Sequence, residues 1–386
     1  MTGMNTSALQ DTRLITDLPQ LKQTAEELVR QEIVAVDTES NSLYAYFERV
    51  CLIQFSTTEI DLMIDPLGME DLSALKPVFS NPAIEKVFHA AEYDLICLKR
   101  DFGFEFENLF DTMAASRILG YEAVGLGSML EAHFGIKVDK RQQRANWGQR
   151  PLPAELLNYA CLDTHYLIAL RNILKEKLQE RGLWLLADED FRRLAALQAI
   201  EGNGGGGGEE RAVDPWRING AHDLQPQQAA VLMELCRYRD KIARQLDRPL
   251  FKVINDQTLM RIAIETPRDL DSLRRLPGMT PPQVRRHGAR LLEAVKSGLK
   301  ADPIYPPRWP RPDEGYLQRV EALRQWRKTT AQRMGVQSDV VLPRDVMNEL
   351  ARRNPRDEME LGEVMMDVPW RRERFGGKIL EAMSGK

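Results

Sequence analysis

An α/β domain with a mixed sheet and flanking helices, followed by two small all-α domains, is the fold the 386-residue sequence predicts. Three observations carry that expectation. Between residues 33 and 89, short β-branched runs stand among helical patterns, which implies a sheet covered by helices. Five consecutive glycines, Gly204 to Gly208, interrupt the chain as flexible coil. Beyond them the sequence repeats itself at an offset of 88 residues, so that Leu235, Arg239 and Ala243 align with Leu323, Arg327 and Ala331.

Taken in order, Ile33-Val-Ala-Val36 is apolar and β-branched, ends at Asp37, and reads as a buried strand. Val50–Ser56 and Ile60–Ile64 read as hairpin partners across Thr57-Thr-Glu59. Lys86–His89 is a short fourth strand, and helical patterns occupy 70–79, 92–102, 112–119, 126–134 and 153–181. These elements place the α/β domain, the one expected below to be catalytic, at 1–201 and the linker at 202–210. A phosphate-binding glycine loop needs a strand before it and a helix after it, whereas here a helical pattern precedes and Asp214-Pro215 follows. The first helical domain is expected at 211–301, a proline-rich connector at 302–314, and the second helical domain at 315–386. The repeat continues through Pro267-Arg-Asp269 with Pro355-Arg-Asp357, Leu273 with Leu361, Gly288 with Gly376, and Leu292-Glu-Ala294 with Leu380-Glu-Ala382.

Composition narrows the class. With 28% charged and 43% hydrophobic residues, the chain has the balance of a well-cored soluble protein, not of a disordered one. No apolar run approaches the ~18 residues of a membrane helix, and the N-terminus has no export-signal pattern. The four cysteines form no CxxC pair and sit among apolar neighbours, as buried thiols in a reducing compartment do. Zinc-binding histidine motifs are absent, and so is GxxxxGK[ST], which removes ATP-driven motors. A cytoplasmic monomer is expected. Residues 1–208 carry 20 Lys and Arg against 31 Asp and Glu, while the remainder carries 33 against 26. The basic half suits a polyanion, and the acidic half needs cations of its own.

The acids supply the chemistry. Asp37 and Glu39 stand two apart on the first strand, so both carboxylates project to one side. Asp94 opens the helix after the fourth strand, where a carboxylate is also favoured for structural reasons, and His89 reads as a buried polar residue. Tyr159 and Asp163 lie four apart on one helical face, in a stretch otherwise apolar. Inward carboxylates tolerate one another when cations sit between them. Four negative charges would balance two hard, oxygen-loving ions, Mg²⁺ or Mn²⁺, placed to serve an in-line phosphoryl displacement. Tyr159 could orient the attacking water.

These residues form three motifs: Val36-Asp-Thr-Glu39, Phe88-His-Ala-Ala-Glu-Tyr-Asp94 and Tyr159-Ala-Cys-Leu-Asp163. In them the sequence resembles the DEDD family of 3′→5′ exonucleases, tyrosine subgroup, of the ribonuclease D type. The repeats resemble helicase-and-ribonuclease-D C-terminal (HRDC) domains. The resemblance implies a ribonuclease H-like catalytic fold and hydrolysis of RNA from its 3′ end to nucleoside 5′-monophosphates, chiefly in tRNA 3′-end maturation. It also implies catalysis by Asp37, Glu39, Asp94, Tyr159 and Asp163, with the four acids holding two divalent cations per site. The sequence departs from the family in its glycine run, and in Met365-Met366 where the first repeat has Pro277-Gly278.

Immediately before the catalytic helix, Lys140, Arg141, Arg144 and Arg150 surround Trp147. Cations can track phosphates and an indole can stack a base, so these five are expected to bind RNA. The competing reading is a solvated basic loop with Trp147 plugging the core. Arg274-Arg275 and Arg285-Arg286 offer a second basic patch. A DNA exonuclease would use the same four acids, and a decayed RNA-binding module or a metal-free ion network would keep their positions.

Overall fold

The computed structural model describes residues 12–198, 213–307 and 313–384. The expected glycine linker and residues 308–312 of the proline-rich connector lie outside them. The chain forms two compact units, one of residues 1–40, 50–200 and 311–386, the other of 41–49 and 201–310.

The first unit opens with β1 (Thr12–Ile15), α1 (Leu18–Val29), β2 (Ile33–Ser40), β3 (Val50–Ser56), β4 (Asp61–Ile64), α2 (Lys76–Ser80) and β5 (Glu85–Phe88). It continues through α3 (Glu92–Phe102), β6 (Leu109–Asp111), α4 (Thr112–Ile118), α5 (Leu126–Phe134), α6 (Ala154–His165), α7 (Leu167–Glu180) and α8 (Trp184–Ala195). Six strands form one mixed sheet in the order β1-β4-β3-β2-β5-β6. β3 runs antiparallel to β2 and β4, and the remaining pairs are parallel.

Alternation along β2 and β3 sorts their side chains. Val34, Val36, Ile53 and Phe55 bury against Leu21 and Leu28 of α1 and Leu95 and Leu98 of α3. On the opposite face Leu52 and Met63 pack on Leu156, Tyr159 and Ala160 of α6, while Ala35 and Val87 pack with Leu167 and Leu170 of α7. The continuous helix expected over 153–181 is two helices that meet at Tyr166, because α6 covers β2 to β4 and α7 turns to cover β2 and β5. Within 70–79 the α-helix is confined to a short turn, Lys76–Ser80, that continues a 3₁₀ segment. β1, α1, β6 and α8 had no counterpart in the sequence reading.

The second unit contains α9 (Pro226–Leu246), α10 (Leu250–Val253), α11 (Asp256–Glu265), α12 (Leu270–Arg274) and α13 (Pro281–Lys300). It also includes Asn41–Arg49, the segment joining β2 to β3. There the backbone N–H groups of Tyr46 and Phe47 donate to Asp247 at 3.0 and 2.9 Å, and the Tyr46 hydroxyl donates to Asp240 at 2.7 Å. Lys252 lies 3.7 Å above the Tyr44 ring.

The C-terminal helices α14 (Glu314–Met334), α15 (Ser338–Val341), α16 (Arg344–Arg353), α17 (Glu358–Val364) and α18 (Pro369–Ser384) repeat that architecture. The repeated residues show why they recur. Arg239 donates to the carbonyl of Ile254 at 3.1 Å, and Arg327 donates to that of Leu342 at 2.9 Å. Asp269 and Asp357 each cap the helix that follows. Gly288 and Gly376 lack the Cβ that would collide with Leu270 and Leu361 respectively.

Within the first unit the C-terminal domain is docked on the sheet domain. Arg371 is fully buried and donates to Glu189 at 2.5 Å and to Asp190 at 2.7 and 2.9 Å. It also donates to the Val340 carbonyl, while Glu189 accepts the N–H of Trp370. Arg193 pairs with Asp345 at 2.5 Å, and Arg117 pairs with Asp339.

Candidate active site

β2 presents Asp37 and Glu39 on the face that α6 covers, and α6 aims Tyr159 and Asp163, one turn apart, back at the strand. Carboxylate oxygens of Asp37, Glu39 and Asp163 all lie within 4.8 Å of one another. Asp94, 7% exposed, occupies the third position of α3 and accepts from the Thr38 hydroxyl. Its charge acts on Asp37, Glu39 and Asp163 alike. All four acids of the sequence expectation therefore meet electrostatically, three of them within reach of a single ion.

That crowding is costly for carboxylates. Burial, reinforced by Asp94, Asp163 and Glu39, holds Asp37 well above the usual carboxylate range. Burial and the neighbouring Asp163 push Glu39 up to about 9, and burial lifts Asp94 and Asp163 each to about 7. Tyr159 is 6% exposed; its hydroxyl hydrogen-bonds Asp163 and partly offsets that rise. The donor set is oxygen only, convergent, and in excess of negative charge. It fits a hard divalent cation.

The elements that aim these groups are themselves secured. Asp111 caps α4 and also accepts the Ala91 N–H at 2.6 Å, fixing the turn into α3. Ala90 in that turn has φ +65°, a left-handed conformation a non-glycine residue takes at a cost. His89 shares a hydrogen bond with the Thr112 hydroxyl at 2.8 Å. Beneath α6, Asp61 accepts from Ser56 at 2.6 Å and Cys161 at 3.1 Å, and pairs with His165 at 2.8 Å. Ser56 also bonds Thr164 at 2.7 Å. These anchors were invisible to sequence reasoning because Ser56 and Asp61 lie about a hundred residues from their helix partners. The four cysteines are free and buried.

The expected RNA-binding group disperses. Trp147 is 1% exposed and packs with Leu52, Leu156 and Tyr159, so its indole is core and not a surface platform for a base. Arg150 is committed to Asp65 at 2.5 Å and to the Cys51 carbonyl at 2.7 Å, which ties the approach to α6 onto the sheet. Arg141 and Arg144 are exposed on a 3₁₀ turn, Arg141 paired with Asp139 at 2.5 Å. Lys140 begins that turn, and its side chain lies outside the described residues.

Comparison with known proteins follows the same division. A 3′-5′ exonuclease family profile matches residues 12–179, and an HRDC domain profile matches 228–295 and 317–383. The chain is 29% identical over 381 residues to ribonuclease D of Nitrobacter hamburgensis, covering 97% of this chain and 95% of that one. The chain pairs a 3′-5′ exonuclease domain with HRDC domains, as a homologue of ribonuclease D. The crystal structure of Escherichia coli RNase D, described as an exoribonuclease involved in structured RNA processing, matches this chain with a TM-score of 0.70. That match has 25% identity and covers 97% of this chain and 99% of the other. Exosome complex exonuclease RRP6 of Saccharomyces cerevisiae is 31% identical over 290 residues, 73% of this chain and 40% of its own length. The chain spans about a third of the length of the RRP6-type relatives it matches. Among the described residues no helix is long and apolar enough to cross a membrane.

Proposed function

We propose that this chain removes nucleotides from the 3′ end of RNA as nucleoside 5′-monophosphates, acting in the cytoplasm. Its proposed substrates are tRNA precursors and structured RNAs with single-stranded 3′ ends. The observation that carries the reading is the convergence of Asp37, Glu39 and Asp163 within 4.8 Å, beneath Tyr159 and beside Asp94. These four acids would hold two divalent cations, Mg²⁺ or Mn²⁺, which when bound stabilise charge on the attacking and leaving oxygens. Tyr159 orients a water through its hydroxyl, held in place by ring packing against Trp147. The water oxygen bonds to the terminal phosphorus as the water gives up a proton to solvent, the bond to the preceding 3′ oxygen breaks, and that oxygen takes up a proton from solvent.

Incubating the full chain with a 3′-labelled tRNA precursor and a matched DNA strand, in Mg²⁺ and in EDTA, tests this. Release of labelled mononucleotide from RNA only when the ion is present is the expected result. Faster release from DNA would reassign the substrate, and binding without release would mark a non-catalytic RNA-binding module.

A further inference from the structure

Gln54 lies on β3 directly across from Asp37, so their side chains share the face covered by α6. Its two neighbours on that face of the strand have found their partners. Leu52 packs with Tyr159 and Leu156, and Ser56 bonds Asp61 and Thr164. Gln54 is fully buried, yet among the described residues neither its Oε1 nor its Nε2 has a hydrogen-bond partner. Across the other edge of β3 it faces Met63, which offers only a weak thioether acceptor. A carboxamide buried with both ends unpaired is rare, because each unmade bond is a desolvation penalty with no return. Asp37, with its Cβ roughly 4.5–5.5 Å away in such a pair, is the polar residue directly opposite it on β2.

We propose that Gln54 is a positioning residue of the metal centre, its carboxamide held for the outer coordination sphere that forms when a divalent ion is bound at Asp37. This rests on the metal-centre reading above. A carboxamide suits the role: with an ion held at Asp37, Nε2 would be free to donate to a carboxylate oxygen and Oε1 to accept from a water. An apolar residue would make the metal-free core cheaper. A carboxamide makes it dearer, and recovers the difference when charge and water arrive. Groups that orient metal ligands in this way contribute roughly 10–100-fold to metal affinity.

The test measures Mn²⁺ affinity by calorimetry on the full chain, with thermal melts in EDTA, for wild type and Gln54→Met. Methionine keeps length and volume while removing both polar ends; Gln54→Leu is the second variant if the first does not fold. The expected result is Mn²⁺ binding at least 10-fold weaker, with a metal-free melting temperature unchanged or raised. Unaltered Mn²⁺ affinity overturns the inference while the metal centre stands. Weaker binding together with lower metal-free stability marks Gln54 as structural and overturns it too. If the wild type itself binds no Mn²⁺, the metal-centre reading fails first and the inference with it.

Discussion

Asp37 is a residue whose charge opposes the fold and would serve the proposed metal centre. Removing one of four mutually repelling carboxylates relieves the metal-free protein, so Asp37→Asn should melt at a higher temperature than wild type in EDTA. The same change should cut turnover in Mg²⁺ by about 10³-fold, since ions at such sites supply several kcal/mol of charge stabilisation. Rate on 3′-labelled RNA and a melt in EDTA, read together, check both halves; near-normal turnover would remove Asp37 from the site. Tyr159→Phe keeps the ring against Trp147, so stability should stay constant while single-turnover cleavage drops by about 10²-fold. An unaffected rate would leave Tyr159 as packing only. At Ala90 the effect is on the fold alone. Ala90→Gly relieves roughly 1–2 kcal/mol of left-handed strain and loses about 0.4–1 kcal/mol to the freer unfolded chain. Urea unfolding should therefore show a small net stabilisation, and a destabilised variant would contradict it.

At the level of elements, what could be read in advance depended on how far a pattern ran. β2 was legible because Ile33-Val-Ala-Val36 is apolar without interruption and Asp37 and Glu39 follow in strand period, which also placed two site acids on one face. β1 and β6, of four and three residues, are too short to show a period. α1 carried a usable signal, since Asp17 caps it and Leu21, Ala25 and Leu28 recur on one face. The break at Tyr166 was not legible, because apolar spacing continues through it and only the sheet beneath dictates the change of direction. Trp147 shows the same limit in the site. A tryptophan among arginines reads as an RNA platform until the packing against Leu52 shows the ring facing inward.

The contact of α18 with α8 was equally hidden, since Arg371 looks in sequence like one basic residue among several. Arg371→Ala leaves Glu189, 2% exposed in its side chain, without its cation. Breaking a buried pair from one side costs about 3–5 kcal/mol. The variant should lose that much in urea unfolding, and protease should then cut near α18 first. Unaltered stability would show that the docked domain does not depend on this pair.

At the scale of the whole molecule, the charge difference and glycine run set the expected catalytic domain, 1–201, apart from the helical domains. The structure places the C-terminal helices in the same compact unit as the sheet, with Val340 and Trp370 packed into the cluster around Phe110 and Phe191. A protein ending at Ile200 should therefore melt lower than the full chain, by roughly 5–10 °C if the lost contacts amount to about 3 kcal/mol. Its rate on a short unstructured RNA should fall with stability as temperature rises. Differential scanning calorimetry of the two proteins decides it; equal melting temperatures would return the C-terminal domain to the status of an independent appendage.

The pairing of Arg371 with Glu189 spans 182 positions, and that of Tyr46 with Asp240 spans 194. A ribosome adding roughly 5–20 residues per second needs about 10–40 s to cover such an interval. For that time the nascent sheet domain waits with Glu189 uncovered and the segment after β2 without its helical seat. Completion of the fold is thus tied to synthesis of the stretches around Asp240 and Arg371, and a chain that stops before Arg371 leaves Glu189 without its cation.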